Sequence, residues 1–351
     1  MTELATPTVD RDRLTTLMEA ETADFVARHP HSAALHERAR GSLLDGVPMN
    51  WMVKWAGPFP LFVDEASGAR FSCVDGHEYV DLCLGDTGAM AGHGAAPTIA
   101  AVERQLRRGI THMLPTEDAI WAGEELGRRF GLPYWQFTLS ATDANRFSLR
   151  SARQITGRSK VVVHDHCYHG SVDEAIAVLD EQGQVVPITG NVGPQVHPRE
   201  TTRVVHFNDL DGLERALEDR DVAVVLIEPA LTNVGIVLPE PGYLDGVREI
   251  TRRTGTLLII DETHTICAGP GGMTGRDGLE PDILVIGKTI GGGIPVAAYG
   301  LSEAVAARIR EQSALEDADV GGIGGTLAGY ALSLAAVRAT LGEVLTDEAF
   351  E

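Results

Sequence analysis

Two stretches decide how this chain is read: Thr256-Leu257-Leu258-Ile259-Ile260-Asp261-Glu262 and, further on, Pro281-Asp282-Ile283-Leu284-Val285-Ile286-Gly287-Lys288-Thr289-Ile290-Gly291-Gly292-Gly293. Each holds a short apolar run that does not alternate with polar residues, as a strand buried on both faces of a parallel sheet requires. The first run ends in a carboxylate. The second ends in a lysine, 27 residues later (288 − 261), and leads into a glycine-rich turn. Open α/β sheets bind their ligands at the carboxyl ends of the strands, so Asp261 and Lys288 are expected at one edge of one sheet.

An amine and an anion so placed can hold opposite edges of a flat cofactor. Pyridoxal phosphate needs such a pair, because an amine must condense with its aldehyde and an anion must keep its ring nitrogen protonated. Taken singly, each residue has a plainer reading. A lysine before a glycine run serves as a solvated turn residue, and an aspartate after a strand serves as a helix cap.

Outward from this centre, the chain from about residue 98 alternates helical and strand patterns, the signature of a parallel sheet. Helices are expected at 98–108, 117–130, 143–156, 171–179, 209–219 and 241–254. Strands are expected at 135–139, 160–164, 203–207, 223–227, 256–260, 283–286 and 296–300. Residues 61–84 read as antiparallel strands with a turn at Asp75-Gly76. Two helices, 11–28 and 31–44, precede any strand and form an arm suited to packing on another surface. Residues 182–202 read as a long surface excursion, and 326–351 as one long helix.

A chain of 351 residues accommodates one large and one smaller domain. The expected division is a helical arm over 1–50, the first part of a small domain over 51–95, a large cofactor-binding domain over 96–305 and the start of a C-terminal segment over 306–351. The net charge of −21 argues against nucleic acid as a partner, since phosphate binding needs clustered Lys and Arg. The cysteines, Cys73, Cys83, Cys167 and Cys267, lack the spacing of a zinc site, so no metal is expected and a reducing, cytoplasmic setting is. The N-terminus does not read as a signal peptide. No apolar run reaches the roughly 18 residues of a membrane span.

The motifs then line up in order. Glu228-Pro229, Asp261-Glu262, Gly287-Lys288, Gly291-Gly292-Gly293 and Gly324-Gly325-Thr326-Leu327-Ala328-Gly329 resemble those of the class III, fold-type I, pyridoxal-phosphate-dependent aminotransferases. The resemblance runs from about residue 40 to the end and is strongest to the branch of glutamate-1-semialdehyde aminomutases and β-amino-acid aminotransferases. It implies an α/β fold with a mainly parallel seven-stranded sheet flanked by helices, plus a small α+β domain. It also implies that Lys288 forms the Schiff base and moves the proton, and that Asp261 holds the pyridinium nitrogen. Ser140-Ala141-Thr142 stands where the family binds the phosphate at a helix N-terminus; on the residues alone, Thr142 reads equally as an N-cap. Tyr168 resembles the tyrosine that stacks on the cofactor, and Asn233 the asparagine near its O3′. Thr326 resembles a threonine that reaches the phosphate of a neighbouring subunit, which implies a homodimer with shared sites.

Several positions depart from the family pattern. Thr263 replaces a valine under the ring and brings a hydroxyl that needs a partner. His264 follows it, as a substrate contact or as a buried structural histidine. Trp51 stands where relatives place an arginine for a substrate carboxylate, with Lys54 nearby, and lysine does not reproduce arginine's bidentate fork. Asp86 stands where the aminomutases have a tryptophan. Relatives continue past the position of Glu351 for roughly the length of a further small domain, so the small domain is expected to be truncated at its C-terminal side. The activity implied is transfer of an amino group from an amine or amino acid to a 2-oxo acid. The alternatives are an intramolecular aminomutase and a non-catalytic protein that keeps the fold.

Overall fold

The computed structural model describes residues 9–189, 196–312 and 323–351. The chain packs as two units, one ending at Cys83 and the other beginning at Leu84. The first contains helices α1 (Arg11–Arg28) and α2 (Pro30–Ala39) and an antiparallel sheet of β1 (Val63–Ser67), β2 (Arg70–Cys73) and β3 (Glu78–Val80). Helix α2 ends earlier than the expected residue 44, and the chain then turns through Asp45 and Gly46, both at positive φ. Asp75, in the turn between β2 and β3, accepts from the backbone N–H groups of His31 (2.7 Å) and Ser32 (3.0 Å) and from the Ser32 hydroxyl (2.6 Å). It thereby satisfies donors that the first turn of α2 leaves without partners. His29 is buried, with Nε2 2.5 Å from the Tyr79 hydroxyl on β3. These contacts join the expected arm and the strands after it into one unit, with its boundary at 83/84 rather than at 50/51 or 95/96. Helix α1 buries none of its side chains.

The second unit runs through α3 (Ala96–Leu106), α4 (Glu117–Phe130), β4 (Tyr134–Thr138), α5 (Ala141–Thr156), β5 (Lys160–His164), β6 (Ala177–Leu179), β7 (Val185–Pro187), β8 (Thr202–Val205), α6 (Leu210–Leu217) and β9 (Val222–Ile227). It continues with α7 (Tyr243–Thr254), β10 (Leu257–Asp261), α8 (Gly272–Asp277), β11 (Ile283–Ile286), β12 (Ala297–Leu301), α9 (Glu303–Gln312) and α10 (Ala331–Ala339). Seven strands form one sheet in the order β4-β12-β11-β10-β9-β5-β8. The pairs among β11, β10, β9, β5 and β8 are parallel, whereas β12 is antiparallel to both β11 and β4. The reversal follows from length. Ten residues separate β11 from β12 (297 − 287), and a parallel crossover needs about a dozen or more.

Every residue of β9, β10 and β11 is buried, which explains their unbroken apolar runs. Alternate residues serve opposite faces. Val224, Leu226 and Ile259 share a core with Phe147, Ala152 and Ile155 of α5, while Val225, Ile227, Leu258 and Ile260 pack with Leu213 and Leu217 of α6 and Val247 and Ile250 of α7. Each such side chain contributes about 1.5–3 kcal/mol of transfer free energy. Among the described residues, no helix is long and apolar enough to cross a membrane.

Two expected helices are not formed as read. Residues 171–179 place Val172, Ala175, Ile176 and Leu179 at helical spacing, yet only a short 3-10 turn (Asp173–Ala175) forms, and Ala177–Leu179 pairs as β6 with β7. The β-branched Val178 faces Val186 across this hairpin, and the local pairing outweighs the periodicity. The hairpin also orders the first part of the expected excursion over 182–202, of which 190–195 lie outside the described residues. The single helix expected over 326–351 is interrupted as well. After α10 the backbone widens to a π-helical turn (Thr340–Val344), in which the Leu345 N–H reaches the Thr340 carbonyl (2.7 Å). The buried guanidinium of Arg129 takes the carbonyls of Leu341 (2.7 Å) and Leu345 (2.9 Å) and pairs with Glu125 (2.7 Å), fixing the helix end there.

Replacing Arg129 by methionine is expected to take one of two partners from Glu125, which keeps Arg128 (2.8 Å), and to remove the guanidinium donor from the carbonyls of Leu341 and Leu345. The loss should be about 1–3 kcal/mol for each buried carbonyl left unsatisfied, read as a lower midpoint in urea unfolding.

Candidate active site

A cleft of about 280 Å³ opens at the carboxyl ends of the parallel strands of the second unit. Its lining includes Ser140, Ala141, Thr142, Tyr168, Asp261, Thr263, His264 and Lys288. Strand β10 carries Asp261 to its floor. The carboxylate is nearly fully buried and accepts at Oδ2 from Asn145 Nδ2 (2.9 Å) and His169 Nδ1 (2.9 Å), and at Oδ1 from the Thr263 backbone N–H (3.1 Å). Burial pushes its pKa up. The hydrogen bond from His169, that residue's charge, and the bonds from Thr263 and Asn145 outweigh burial, so the net shift is downward and Asp261 stays ionised. Burial opposes a charge on His169, but Cys167 and Asp261 favour it, and its pKa lies well above the ordinary imidazole value.

Helix α5 begins where β4 ends, so its N-terminus opens on the same cleft. Ser140 is the N-cap. Its Oγ accepts from the Asp143 N–H (3.2 Å) and donates to the Asp143 carboxylate (3.0 Å), which occupies this hydroxyl within the cap. The first N–H groups of α5, at Ala141 and Thr142, have no acceptor within the helix and are donors for an anion. The Thr142 hydroxyl accepts from the Ser171 N–H (3.1 Å). Gly170, at φ +78°, approaches so closely that a Cβ there would fall 2.1 Å from Thr142 Oγ1. The loop after β5 thus closes the cradle and presents Tyr168, whose N–H donates to the Glu228 carboxylate (3.0 Å).

Lys288 follows β11 on the opposite side. Its Nζ lies 2.7 Å from Asp86 Oδ2, 2.6 Å from His264 Nε2 and 6.0 Å from the centre of the Tyr168 ring. The His264 Nδ1 lies 2.8 Å from the Thr87 hydroxyl. Lys288 itself has φ +48°, and Leu84, Gly85, Asp86 and Thr87 have φ of 48°, 61°, 54° and 76°, a complete left-handed turn. For residues other than glycine this conformation costs roughly 1–2 kcal/mol each. Beside it, Glu262 is buried and accepts from the Thr265 hydroxyl and from the N–H groups of Met273 and Thr274 in α8. Burial outweighs those bonds and its pKa is raised.

The structure thus brings Ser140, Ala141, Thr142, Tyr168, Asp261, Thr263, His264 and Lys288 together around one cleft, with Asp86 on the lysine. Asn233 is exposed in the turn between Leu231 and Val237, and Thr326 is exposed in a turn after Gly324 and Gly325; neither lines the cleft. Trp51 and Lys54 belong to the first unit, where the Lys54 ammonium sits 5.5 Å over the Trp51 ring. Sequence reading assigned no site role to four residues, Asn145, His169, Glu228 and Thr87, although Glu228 stands in one of the matched motifs. Two carried a usable signal, since Asn145 is a polar residue one position after Ala144 on a helix face that is otherwise buried, and Glu228 follows directly on β9.

The residues fit pyridoxal phosphate. An ionised, buried carboxylate faces a cleft that an anion-binding helix N-terminus and a lysine share. The buried hydroxyl of Thr263, which lines the cleft, has no hydrogen-bond partner among the described residues. A test of the electrostatic arrangement needs no ligand. Because the folded pKa of Asp261 is depressed, its stabilising contribution is present above the unfolded carboxyl value and is lost as pH falls through the folded one. His169→Phe removes the leading opposing interaction, so the acid limb of stability should move to higher pH. At neutral pH about 1.5–3 kcal/mol should be lost, the scale of a hydrogen bond to a charged group. Urea unfolding across a pH series measures both, and an unmoved acid limb would refute the assignment.

Comparison with known proteins agrees with this geometry. The family model Aminotransferase class-III matches residues 51–351. The chain is 34% identical over 310 residues to glutamate-1-semialdehyde 2,1-aminomutase of Desulfitobacterium hafniense, covering 87% of this chain and 70% of that one. A glutamate-1-semialdehyde aminomutase from Pseudomonas aeruginosa PAO1 superposes with a TM-score of 0.94 at 53% identity, over 97% of this chain and 76% of that one. A variant of it was solved in complex with PMP. An omega-transaminase from Sphaerobacter thermophilus superposes with a TM-score of 0.82 at 34% identity, over 92% and 75% of the two chains. The fold is that of the fold-type I transferases, the cofactor is pyridoxal phosphate, and the chain belongs to the class-III aminotransferase family.

Proposed function

We propose that the protein shifts an amino group between two carbons of one small amino-carbonyl substrate, as a pyridoxal-phosphate-dependent aminomutase. The observation that carries the chemistry is the joint placement of Lys288 and Asp261 in one cleft. The name shared by the relatives in Desulfitobacterium and Pseudomonas favours the intramolecular reaction over transfer to a second substrate. A cytoplasmic setting belongs to this reading, with the four cysteines unpaired.

When bound, the cofactor supplies an aldehyde that condenses with amines and a ring that takes up electrons. Asp261 would hold the protonated ring nitrogen, its negative charge favouring the cation. Ala141 and Thr142, with the N-terminus of α5, would bind the phosphate, and Ser140 would order that turn. Tyr168 and Thr263 would lie against the two faces of the ring. Lys288 Nζ would carry the proton between the substrate carbon and C4′ of the cofactor. Asp86 and His264 would contact substrate near Lys288.

An aminotransferase that takes an amino donor and a 2-oxo acid acceptor is the second reading. Two points favour it: the Asp86 carboxylate stands against Lys288, and Trp51 stands where the resemblance to the family implies an arginine. Purified holoenzyme incubated with glutamate-1-semialdehyde alone should isomerise it and release no 2-oxo acid. Turnover of an amine only when an acceptor is added would establish the transaminase instead. No turnover of either kind, with cofactor on Lys288, would leave the non-catalytic reading. Asp261→Asn should retain cofactor and lose about 100-fold or more in rate, the scale of a lost electrostatic contribution.

We further propose a homodimer in which Thr326 completes the phosphate site of the neighbouring subunit. Sedimentation should give a dimer, and Thr326→Ala should weaken cofactor affinity without changing that state. A monomer of full cofactor affinity would overturn it.

A further inference from the structure

The lysine amine is not alone at the cleft. His264 Nε2 lies 2.6 Å from Lys288 Nζ and His264 Nδ1 lies 2.8 Å from Thr87 Oγ1, so the imidazole bridges the reactive nitrogen and a hydroxyl. An ammonium has only donors, whereas a neutral imidazole has one donor and one acceptor. With Lys288 ion-paired to Asp86, Nε2 must therefore accept, and the ring proton sits on Nδ1 and is donated to Thr87. We propose that His264 is a catalytic base for Lys288, its Nε2 taking a proton from Nζ while Thr87 holds the ring in the tautomer that permits the transfer. This rests on the proposed role of Lys288 as the amine that condenses with the cofactor.

The step balances without a further reactant. The Nζ–H bond breaks and an Nε2–H bond forms, so the positive charge passes from ammonium to imidazolium. The freed electron pair on Nζ can then attack a carbonyl carbon, and the proton returns when the amine is displaced. Asp86, Glu228 and Asp261 all lie near enough to favour the resulting imidazolium, and Lys288, while charged, opposes it. Burial, first, and the Lys288 charge hold the resting His264 pKa below its ordinary value, so the ring is neutral and ready to accept at neutral pH.

The supporting turn is specific to this geometry. Leu84 to Thr87 follow one another in the left-handed region and are closed by a bond from the Ala89 N–H to the Leu84 carbonyl (2.9 Å). That turn delivers Asp86 to Nζ and Thr87 to the histidine. Strain of this kind is retained where the surrounding structure fixes a functional constellation.

The test uses the full chain stripped of cofactor. Pyridoxal phosphate is added across a pH series, and the rate at which the visible band of the lysine adduct appears is followed. In the natural protein that rate should fall by one additional proton's dependence as pH drops through the His264 pKa. His264→Gln keeps a hydrogen-bonding side chain that does not titrate; it should lose that dependence and react about 100-fold more slowly at neutral pH, the scale of general base catalysis. The same rate and the same pH profile in His264→Gln would overturn the proposal.

Borohydride reduction and peptide mapping separate the two levels of the argument. An adduct on Lys54 or Lys160 defeats the Lys288 reading, whereas an adduct on Lys288 with an unchanged profile defeats only the role of His264. Independently of any variant, long-range proton–nitrogen NMR of the unliganded protein should show His264 protonated at Nδ1. Protonation at Nε2 would overturn the proposal. Thr87→Val should shift the ring toward that second tautomer and slow adduct formation.

Discussion

An ionised carboxylate held almost fully out of water sets the terms for the second unit of this protein. Without donors, the charge on Asp261 would carry a desolvation penalty of several kcal/mol. Asn145 brings α5 to it, His169 brings the loop after β5, and the turn of Thr263 folds back on it. Three segments far apart in sequence are thereby pinned to the end of one strand. The same three segments form the anion-binding helix N-terminus, the aromatic side and the floor of the cleft. Electrostatic satisfaction of one group and assembly of the site are one event.

Lys288 reaches the other side of the cleft by a different route. The ten residues between β11 and β12 cannot build a crossover, so the chain reverses and β12 returns antiparallel. The lysine sits at the start of that short connection with its backbone left-handed, and Asp86 and His264 hold its amine from two directions. A long flexible side chain is thus localised by polar partners rather than by packing. Localisation of this sort suits a group that must leave one partner for another during a reaction cycle.

Much of this was legible in the chain because strand burial writes itself directly into composition. Val222–Ile227, residues 257–260 and Ile283–Ile286 are apolar throughout since both faces are covered, and their ends mark the cleft. The hairpin at 177–187 was not legible, since its apolar spacing satisfies a helix and a strand alike and only pairing decides. Nor were the partners of the reactive groups. Thr87 and His264 are 177 residues apart, and nothing in Leu84-Gly85-Asp86-Thr87 announces four consecutive left-handed residues. His169 follows Tyr168 in the sequence, and nothing there marks it as the donor that keeps Asp261 charged. The end of α10 depended on a buried guanidinium more than two hundred residues earlier in the chain.

Asp261 and Glu262 are neighbours in sequence but are anchored in different directions, one to α5 and the loop after β5, the other to α8. Around Glu262 the fit leaves no slack, since a Cβ on Gly272 would fall 2.3 Å from its Oε2. The end of β10 is therefore clamped from both sides, and its stiffness is a property in its own right. A cationic group approaching Asp261 meets a partner whose position is already fixed, so little conformational entropy remains to be lost on binding. Loosening Glu262, which touches neither Lys288 nor the helix N-terminus of α5, would blunt the site by letting its floor move.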